Sequence, residues 1–395
     1  MSAPRPTARI LALAGAIPFA LAIGAGTAAA STAPSAPTSS DANGVTTIPI
    51  DITAEGCAAP ESEYPSGGLV FEVRNVDATA VTEFEVLSGD RILGEKENLP
   101  PGFSGSFSLQ LGPGTYELYC PGADTERSEF TLVGELDQSP PTDVAGVLAE
   151  GADGYLGYVR NQVTEMQTAV AALDAAIQSG DVDASKLAYI QARPFYERIE
   201  PVAESFVLGD RNLDAAIDLR ADDVAPTDLE GFHRIEYGLW TDASTDGLAD
   251  VSAQLVVDVA SLQQLIDGLE GLEAFDLANG AVGLLDEAAS GKITGEEERY
   301  SHIDMLDLAA NVEGSEQAFA YLEEGLTMID PDLVATIKER FAALDAVVQG
   351  LADPSEPSGF PLYDTVTTEQ TRQLSDALQD VAEPLSEVAA KVVAA

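Results

Sequence analysis

The chain has 395 residues, which is too long for one compact core and predicts two or three domains. Acidic residues number 67 and basic residues 19, so the formal net charge is −48; a chain so acidic repels nucleic acid and anionic membrane surfaces and attracts cations. Only two histidines and two cysteines are present, which excludes metal cages of several histidines, zinc-finger arrays and dense disulfide scaffolds.

Residues 1–30 are predicted to be a signal peptide rather than part of the fold. Arg5 and Arg9 flank the start of an apolar run from Ile10 to Gly24, and Ala28–Ala30 supplies the small residues that signal peptidase accepts. The run is short for a membrane span, so we expect no transmembrane segment in the mature chain. The sequence therefore predicts an exported protein of the periplasm, the cell envelope or the extracellular space, where disulfides persist.

A leader and a β domain are predicted next. Residues 31–44 are rich in Ser, Thr, Ala and Pro, a composition typical of a flexible leader. Over residues 45–134, short segments such as Leu69–Val73 and Thr115–Cys120 alternate apolar and polar residues, and Gly- and Pro-rich turns separate them. Short strands at this spacing predict a small β-sandwich.

The rest of the chain has a helical pattern. Residues 135–145 contain Pro140-Pro141 and are predicted to be a linker. Residues 146–395 are rich in Ala and Leu, and apolar residues recur every three or four positions, for example over 255–269. This pattern predicts one helical bundle-like domain, so the expected fold class is a multidomain protein with a β domain followed by an all-α domain.

One helix carries a metal-type motif. His233 and Glu236 follow a capping box at Thr227–Glu230 and lie three residues apart, so they share a helix face. An imidazole and a carboxylate placed in this way can bind one cation together. The alternative, a surface ion pair or a hydrogen-bonded core histidine, has the same spacing, so the motif alone is weak.

A second acidic segment lies upstream. Glu197, Glu200 and Glu204 fall on one predicted stripe, and Arg193 and Arg198 can hold their carboxylates ionised. The alternative is a solvated acidic face, which we favour for Glu204.

A third segment begins at a second predicted capping box, Thr294–Glu297. The helix expected there carries Glu298 and His302 one turn apart, and Asp304 and Asp307 on another face. A structural salt pair and a ligand role explain these residues equally well.

Together the three segments offer carboxylate oxygens and one or two imidazoles. Iron suits this set better than copper(I), which prefers sulfur, while zinc and manganese also fit. Other chemistry is not indicated, because the sequence has neither a Walker-type phosphate loop nor a Gly-x-Ser-x-Gly elbow.

These segments make the chain similar to the EfeO family of iron uptake system components, which join a cupredoxin-like domain to an imelysin-like helical domain. In the helical part the resemblance rests on residues 196–206 (YERIEPVAESF), 231–240 (GFHRIEYGLW), 292–297 (KITGEE) and 299–302 (RYSH). In the N-terminal part it rests on residues 97–103 (ENLPPGF), 113–120 (PGTYELYC) and Cys57. The resemblance covers nearly the whole mature chain.

The resemblance implies an extracytoplasmic protein that captures Fe2+ or Fe3+ and delivers it to a membrane iron permease, acting with a Dyp-type haem peroxidase. The family's His-x-x-Glu metal motif maps onto His233 and Glu236. Carboxylate placement predicts further ligands at Glu197, Glu200 and Asp214. Additional candidate ligands are His302, Glu298 and Asp307.

Imelysin-like proteins have also been classed as metallopeptidases, so a zinc metallopeptidase is the main alternative function. Thermolysin-like hydrolysis uses His-Glu-x-x-His, whereas residue 234 is Arg and residue 237 is Tyr. Glu236 could still act as a general base rather than a ligand. A third alternative is a partner-binding surface protein without a metal. We expect a binding protein rather than an enzyme.

The cupredoxin-like resemblance does not extend to a blue-copper site in the β domain. Such a site needs two histidines and a thiolate, and both histidines lie beyond residue 230. Cys57 and Cys120 leave two alternatives: they form a disulfide, or together with Glu83 or Glu85 they bind iron or copper. Outside the cell we favour the disulfide.

Overall fold

The computed structural model describes residues 39–40, 45–89, 91–97, 99–135, 143–203, 205–208, 211–218, 225–226 and 228–395. These residues fall within one compact unit, Ser35–Ala395. The predicted signal peptide, most of the predicted leader and residues 136–142 of the predicted linker lie outside the described residues.

Nine strands are described in the N-terminal part: β1 (Ser39–Ser40), β2 (Thr46–Ile52), β3 (Glu63–Pro65), β4 (Gly67–Asn75), β5 (Phe84–Ser88), β6 (Arg91–Lys96), β7 (Ser104–Leu111), β8 (Gly114–Tyr119) and β9 (Arg127–Val133). They form one sheet in the order β1-β2-β4-β7 and a second in the order β3-β9-β8-β5-β6. Alternate residues of β4 are buried, as the sequence pattern predicts. Phe71 of the first sheet contacts Phe84 and Phe130 of the second, with ring centroids 6.0 Å apart in both pairs. The predicted β-sandwich is confirmed, and we refer to β1–β9 as the β domain.

Two residues of the predicted leader pair with the β domain. Ser39–Ser40 pairs in antiparallel register with Thr46–Thr47 at the edge of β2. An edge strand offers unpaired backbone groups, so even two residues of leader can hydrogen-bond to it.

The two cysteines form a disulfide in the core of the β domain. Their Cα atoms lie 6.2 Å apart, and both side chains are buried. The disulfide alternative is therefore confirmed, and the metal site with Cys57 and Cys120 as ligands is wrong, because bonded sulfurs have no thiolate to offer a metal.

Eleven helices are described in the C-terminal part: α1 (Asp143–Ser179), α2 (Val182–Glu197), α3 (Glu200–Ala203), α4 (Leu213–Asp218), α5 (Gly231–Glu236), α6 (Ala249–Asp267), α7 (Ala274–Ser290), α8 (Asp304–Ile329), α9 (Pro331–Leu351), α10 (Thr368–Leu385) and α11 (Val388–Val393). Two short strands, β10 (Val207–Leu208) and β11 (Arg211–Asn212), pair in antiparallel register and precede α4. We refer to α1–α11 as the helical domain. A β domain followed by a helical domain confirms the predicted fold class.

The long helix α1 organises the bundle. Its buried residues recur every three or four positions, from Leu148 to Ile177, and it packs against α2, α6 and α8. The β domain contacts the helical domain through α7 and α11. No helix among the residues that the structure describes combines the length and the apolar composition that a membrane span requires.

The helix predicted from Thr294 does not form there. A short 3-10 helix, Lys292–Thr294, leads into a turn, and α8 begins only at Asp304. Gly295 and His302 adopt left-handed backbone conformations, with φ of 75° and 59°, and this geometry cannot continue a right-handed helix. The residues between them therefore lie in a turn rather than along a helix face.

Candidate metal centre

A cluster of charged side chains is buried inside the helical domain. We define the carboxylate cluster by nine carboxylates that are almost fully buried: Glu197, Glu200, Asp218, Glu236, Glu287, Glu297, Glu298, Asp304 and Asp307. The buried basic residues among them are Arg193, Lys292 and His233. Burial of an ionised carboxylate is costly unless a cation or hydrogen-bond donors compensate it. Among the residues that the structure describes, nine acids face two permanent cations, so this part of the cluster favours the uptake of further positive charge.

A glycine positions the histidine. Gly231 begins α5 with φ of 51°, and a Cβ at this residue would lie 1.9 Å from the carbonyl oxygen of Ile217. Only glycine permits this close approach of α5 to the end of α4. The approach sets the His233 ring beside Asp218, the last residue of α4. After Glu236 the helix widens into a π-helical turn, a feature frequent at functional sites.

The two nitrogens of His233 have different surroundings. Nδ1 lies 3.1 Å from Oε2 of Glu236, which is hydrogen-bond distance. Nε2 is buried and makes no hydrogen bond to any residue that the structure describes, although Asp218 Oδ1 lies 3.4 Å away and Glu297 Oε1 lies 3.8 Å away. A buried ring nitrogen that faces two carboxylates without a hydrogen bond is suited to a cation.

Glu236 is fixed at both oxygens. Its Oε1 accepts hydrogen bonds from the backbone N–H groups of Tyr300 (2.8 Å) and Ser301 (2.6 Å), both in the turn before α8. Its Oε2 faces His233. These contacts hold the imidazole in one orientation, with Nδ1 directed toward Glu236 and Nε2 directed away from it.

Two overlapping groups of buried residues bring three ligand atoms within 4.8 Å of one another. One group is Asp218, His233 and Glu297; the other is His233, Glu236 and Glu298. Both combine one imidazole with two carboxylates, a ligand set that fits iron, zinc or manganese.

Arg193 neutralises part of the cluster. Its buried guanidinium forms ion pairs with Glu197 and Asp218, lies 2.9 Å from Glu298 and lies 3.0 Å from Asp307. Since an arginine stays charged in proteins, it compensates several carboxylates at once.

Lys292 occupies the other end of the cluster. Its Nζ lies 3.0 Å from Glu197, 3.0 Å from Glu200 and 3.3 Å from Glu287, so three carboxylates surround a buried ammonium. Asn311 also donates hydrogen bonds to Glu197 and Glu200. The predicted ligands Glu197 and Glu200 thus belong to the cluster but contact Lys292 rather than His233.

Burial shifts the protonation of these groups. Burial raises the pKa of Glu197 to about 7 although Lys292 and Arg193 oppose it, and raises the pKa of Asp307 to about 8 against the effect of Arg193. For His233, burial lowers the pKa, but the nearby carboxylates of Asp218, Glu236 and Glu297 outweigh it and leave the pKa well above its ordinary value. The metal-free cluster therefore holds protons near neutral pH, which a cation would displace.

The remaining predicted ligands lie differently. Glu298 belongs to the second group around His233, and Asp307 contacts Arg193. Asp214 accepts a hydrogen bond from Tyr196 and belongs to neither group. The side chain of His302 is 35% exposed, and a carboxylate outside the cluster, Asp364, lies 3.7 Å from it.

Three residues of the site were not predicted as ligands or partners. Asp218 stands in no motif, Glu297 is assigned by the sequence to a helix cap, and nothing in the pattern indicates that Lys292 is buried. Only Glu297 and Lys292 could have been singled out from the sequence, because both lie in the KITGEE segment that carries the resemblance.

A separate acidic group lies on the β domain. Glu83, Glu95 and Glu97 bring oxygens within 4.8 Å of one another and are partly exposed. Glu85 is buried nearby, and burial raises its pKa to about 7. The predicted residues Glu83 and Glu85 thus lie beside other carboxylates rather than in a site with the cysteines.

Comparison with known proteins covers both halves of the chain. The family described as Imelysin matches residues 151–388, and the family described as Cupredoxin-like domain matches residues 19–130. The iron uptake system component EfeO of Escherichia coli (strain K12) is 33% identical over 346 residues, which cover 86% of this chain and 90% of that protein. The protein of the same name from Shigella flexneri shows the same identity and coverage.

Proposed function

We propose that this chain, which belongs to the EfeO family of iron uptake system components, captures an iron ion in the carboxylate cluster through His233. The observation that carries the proposal is the fully buried Nε2 of His233, which faces Asp218 and Glu297 and has no hydrogen-bond partner within the described part of the chain. Both the charge of the cluster and the type of its ligands suit Fe2+ or Fe3+.

The proposed ligands are His233 through Nε2, Asp218 and Glu297. Glu236 takes the role of the orienting carboxylate, since it lies at Nδ1 and its second oxygen is already held by two backbone N–H groups. The His-x-x-Glu motif in this assignment supplies one ligand and the group that fixes it, rather than two ligands of one ion.

The charged groups around the proposed site also favour release of the bound ion. Arg193 pairs with the proposed ligand Asp218 and so competes with a bound cation, and a proton competes at His233 because the nearby carboxylates hold its pKa well above the ordinary value. Competition of this kind lowers the affinity of the site for the cation. A carrier that must hand over its cargo requires such a limit.

Delivery requires partners outside this chain. We propose an exported protein that passes iron to a membrane iron permease and acts with a Dyp-type haem peroxidase. The similarity to iron uptake system components supports a place in such a system, and the Cys57–Cys120 disulfide agrees with an oxidising compartment.

The metallopeptidase alternative has less support. A catalytic zinc needs an open position that a peptide bond can reach, and the His233 ring is fully buried. Zinc-dependent cleavage of casein by the purified chain, lost in His233→Ala, would reverse this preference.

The test is titration of the metal-free full-length chain with Fe2+ without oxygen, and with Fe3+ supplied as citrate, by isothermal calorimetry. We expect His233→Ala to lose more than the 10–100-fold that removal of an outer-shell partner costs. The matched control is His302→Ala, which removes the other histidine and should leave the affinity unchanged. Unchanged affinity in a folded His233→Ala variant would reject the site.

A further inference from the structure

A cavity of about 150 Å³ lies between the β domain and the helical domain. Strands β6 and β7 line one side, and α3, α7 and α11 line the other. A cavity needs roughly 10–15 Å³ of such volume to hold one water molecule, so this one has room for several waters or for a hydrated ion.

The walls of the cavity are acidic. Its carboxylates are Glu95, Glu97, Asp276, Asp286 and Glu287. Its basic residues are Arg91 and Lys96, of which Lys96 forms an ion pair with Asp286 across the two domains. The excess of carboxylates attracts cations into the space.

Glu287 connects the cavity to the carboxylate cluster. It lines the cavity, is only 6% exposed, and places Oε2 3.3 Å from Nζ of Lys292. Lys292 in turn contacts Glu197 and Glu200.

The path continues to the histidine. Arg193 forms ion pairs with both Glu197 and Asp218, and Asp218 lies 3.4 Å from His233. Charged groups in contact thus lead from the cavity wall to the proposed ion position.

We propose that this cavity is the vestibule through which hydrated iron cations reach the carboxylate cluster, and that Glu287 is the carboxylate that passes them inward. The inference rests on the proposed function. Glu287 binds the cation first, and the cation then replaces the ammonium of Lys292 as the partner of Glu197 and Glu200, from which it moves toward His233.

Gly283 is a position at which a larger side chain would fill the vestibule without replacing any of the proposed metal ligands. It lies on α7 and lines the cavity, and a Cβ there would meet no heavy atom within 4 Å. The matched control is Gly157 on α1, where a Cβ also meets nothing within 4 Å and which is not among the residues lining the cavity. Both glycines are half-buried and helical, so Gly283→Leu and Gly157→Leu differ mainly in their relation to the cavity.

The measurement is stopped-flow mixing of Fe2+ with the metal-free full-length chain without oxygen, followed by the fluorescence of Trp240. This tryptophan is the only one in the chain, and it packs against Tyr189, whose hydroxyl donates to Glu298 of the cluster. We expect Gly283→Leu to slow both association and dissociation at least tenfold while Kd stays within twofold, because a blocked path changes rates and not the equilibrium. Gly157→Leu should match the parent chain.

An association rate in Gly283→Leu equal to that of Gly157→Leu would overturn the vestibule and leave the proposed function intact. Glu287→Gln provides a second test that needs no added volume: slower association supports the proposal, and an unchanged rate overturns it. Failure of the parent chain to bind Fe2+ in calorimetry would instead overturn the proposed function, on which the vestibule depends.

Discussion

The orienting role of Glu236 can be tested by Glu236→Gln, which keeps the side-chain size but replaces one oxygen by an NH2 donor. The backbone N–H groups of Tyr300 and Ser301 require an acceptor, so we expect the amide oxygen to face them. The NH2 group then points at Nδ1 of His233, which must become an acceptor, and the ring proton moves to Nε2. That proton blocks the nitrogen proposed to bind iron.

The magnitudes favour this outcome over a flipped amide. Turning the amide so that its oxygen faces His233 would set the NH2 against two backbone donors and break hydrogen bonds of 2.8 and 2.6 Å. Each buried group left unsatisfied costs about 1–3 kcal/mol. Loss of an orienting partner typically lowers metal affinity about 10–100-fold, or about 1.4–2.8 kcal/mol. Flipping the amide leaves two backbone N–H groups unsatisfied at a cost of about 2–6 kcal/mol, which exceeds the cost of the wrong tautomer, so the amide oxygen should stay toward Tyr300 and Ser301.

The assay combines calorimetry with nitrogen-15 NMR of the histidine rings in the Zn2+-loaded chain. With two histidines the spectrum is simple, and His302 serves as an internal reference. We expect the parent chain to show a protonated Nδ1 and a metal-bound Nε2 at His233, and Glu236→Gln to bind about 10–100-fold more weakly. Glu230→Gln, at the exposed residue before α5, is the matched control. An unchanged affinity, or a metal bound at Nδ1 in the parent chain, would refute the reasoning.

Three further predictions concern the stability of the metal-free chain and its affinity for iron. Arg193→Met should lower the free energy of unfolding at pH 7 by about 3–5 kcal/mol, because it leaves several buried carboxylates unpaired; urea denaturation should show a smaller loss at pH 5, and an equal loss at both pH values would contradict this cause. The raised pKa values of Glu197 (about 7) and Asp307 (about 8) mean that the folded chain binds more protons than the unfolded chain between about pH 4 and 8. The free energy of unfolding should therefore be highest toward pH 4 and fall as pH rises to 8, while iron affinity rises over the same range; urea midpoints and calorimetry at pH 5.5 and 8 check both signs, and a reversed slope would contradict them. Replacing both cysteines by alanine should cost about 4 kcal/mol for a sequence separation of 63 and leave Fe2+ affinity unchanged in calorimetry; a loss of affinity would show that the β domain contributes to the site.

Local patterns predicted the fold and the contact between His233 and Glu236. Alternation over 45–134 and helical periodicity beyond 146 report burial directly, so they predict the two fold types. The spacing of His233 and Glu236 predicts that the two side chains meet, which the distance of 3.1 Å agrees with. Spacing on a helix does not indicate which ring nitrogen faces the partner.

The rest of the site depends on contacts between distant segments. Asp218 reaches His233 because Gly231 permits a close approach of two short helices, and no spacing rule contains that information. The residues from Thr294 to Glu297 match a capping box in the sequence. The left-handed backbone of Gly295 and His302 nevertheless prevents a helix from forming there. The helix predicted there is replaced by a turn, which is why Glu297 and Glu298 face the cluster while His302 stays partly exposed.

The two buried basic side chains have a consequence for how such a carrier is made. Arg193 and Lys292 are internal counter-ions that come with the chain, so the acidic interior can fold before any cargo has arrived. For the proposed iron carrier, folding without the metal means that the chain is ready to bind iron even when iron is scarce. Because Arg193 and Lys292 compensate the buried carboxylates, folding of the chain need not wait for iron to bind.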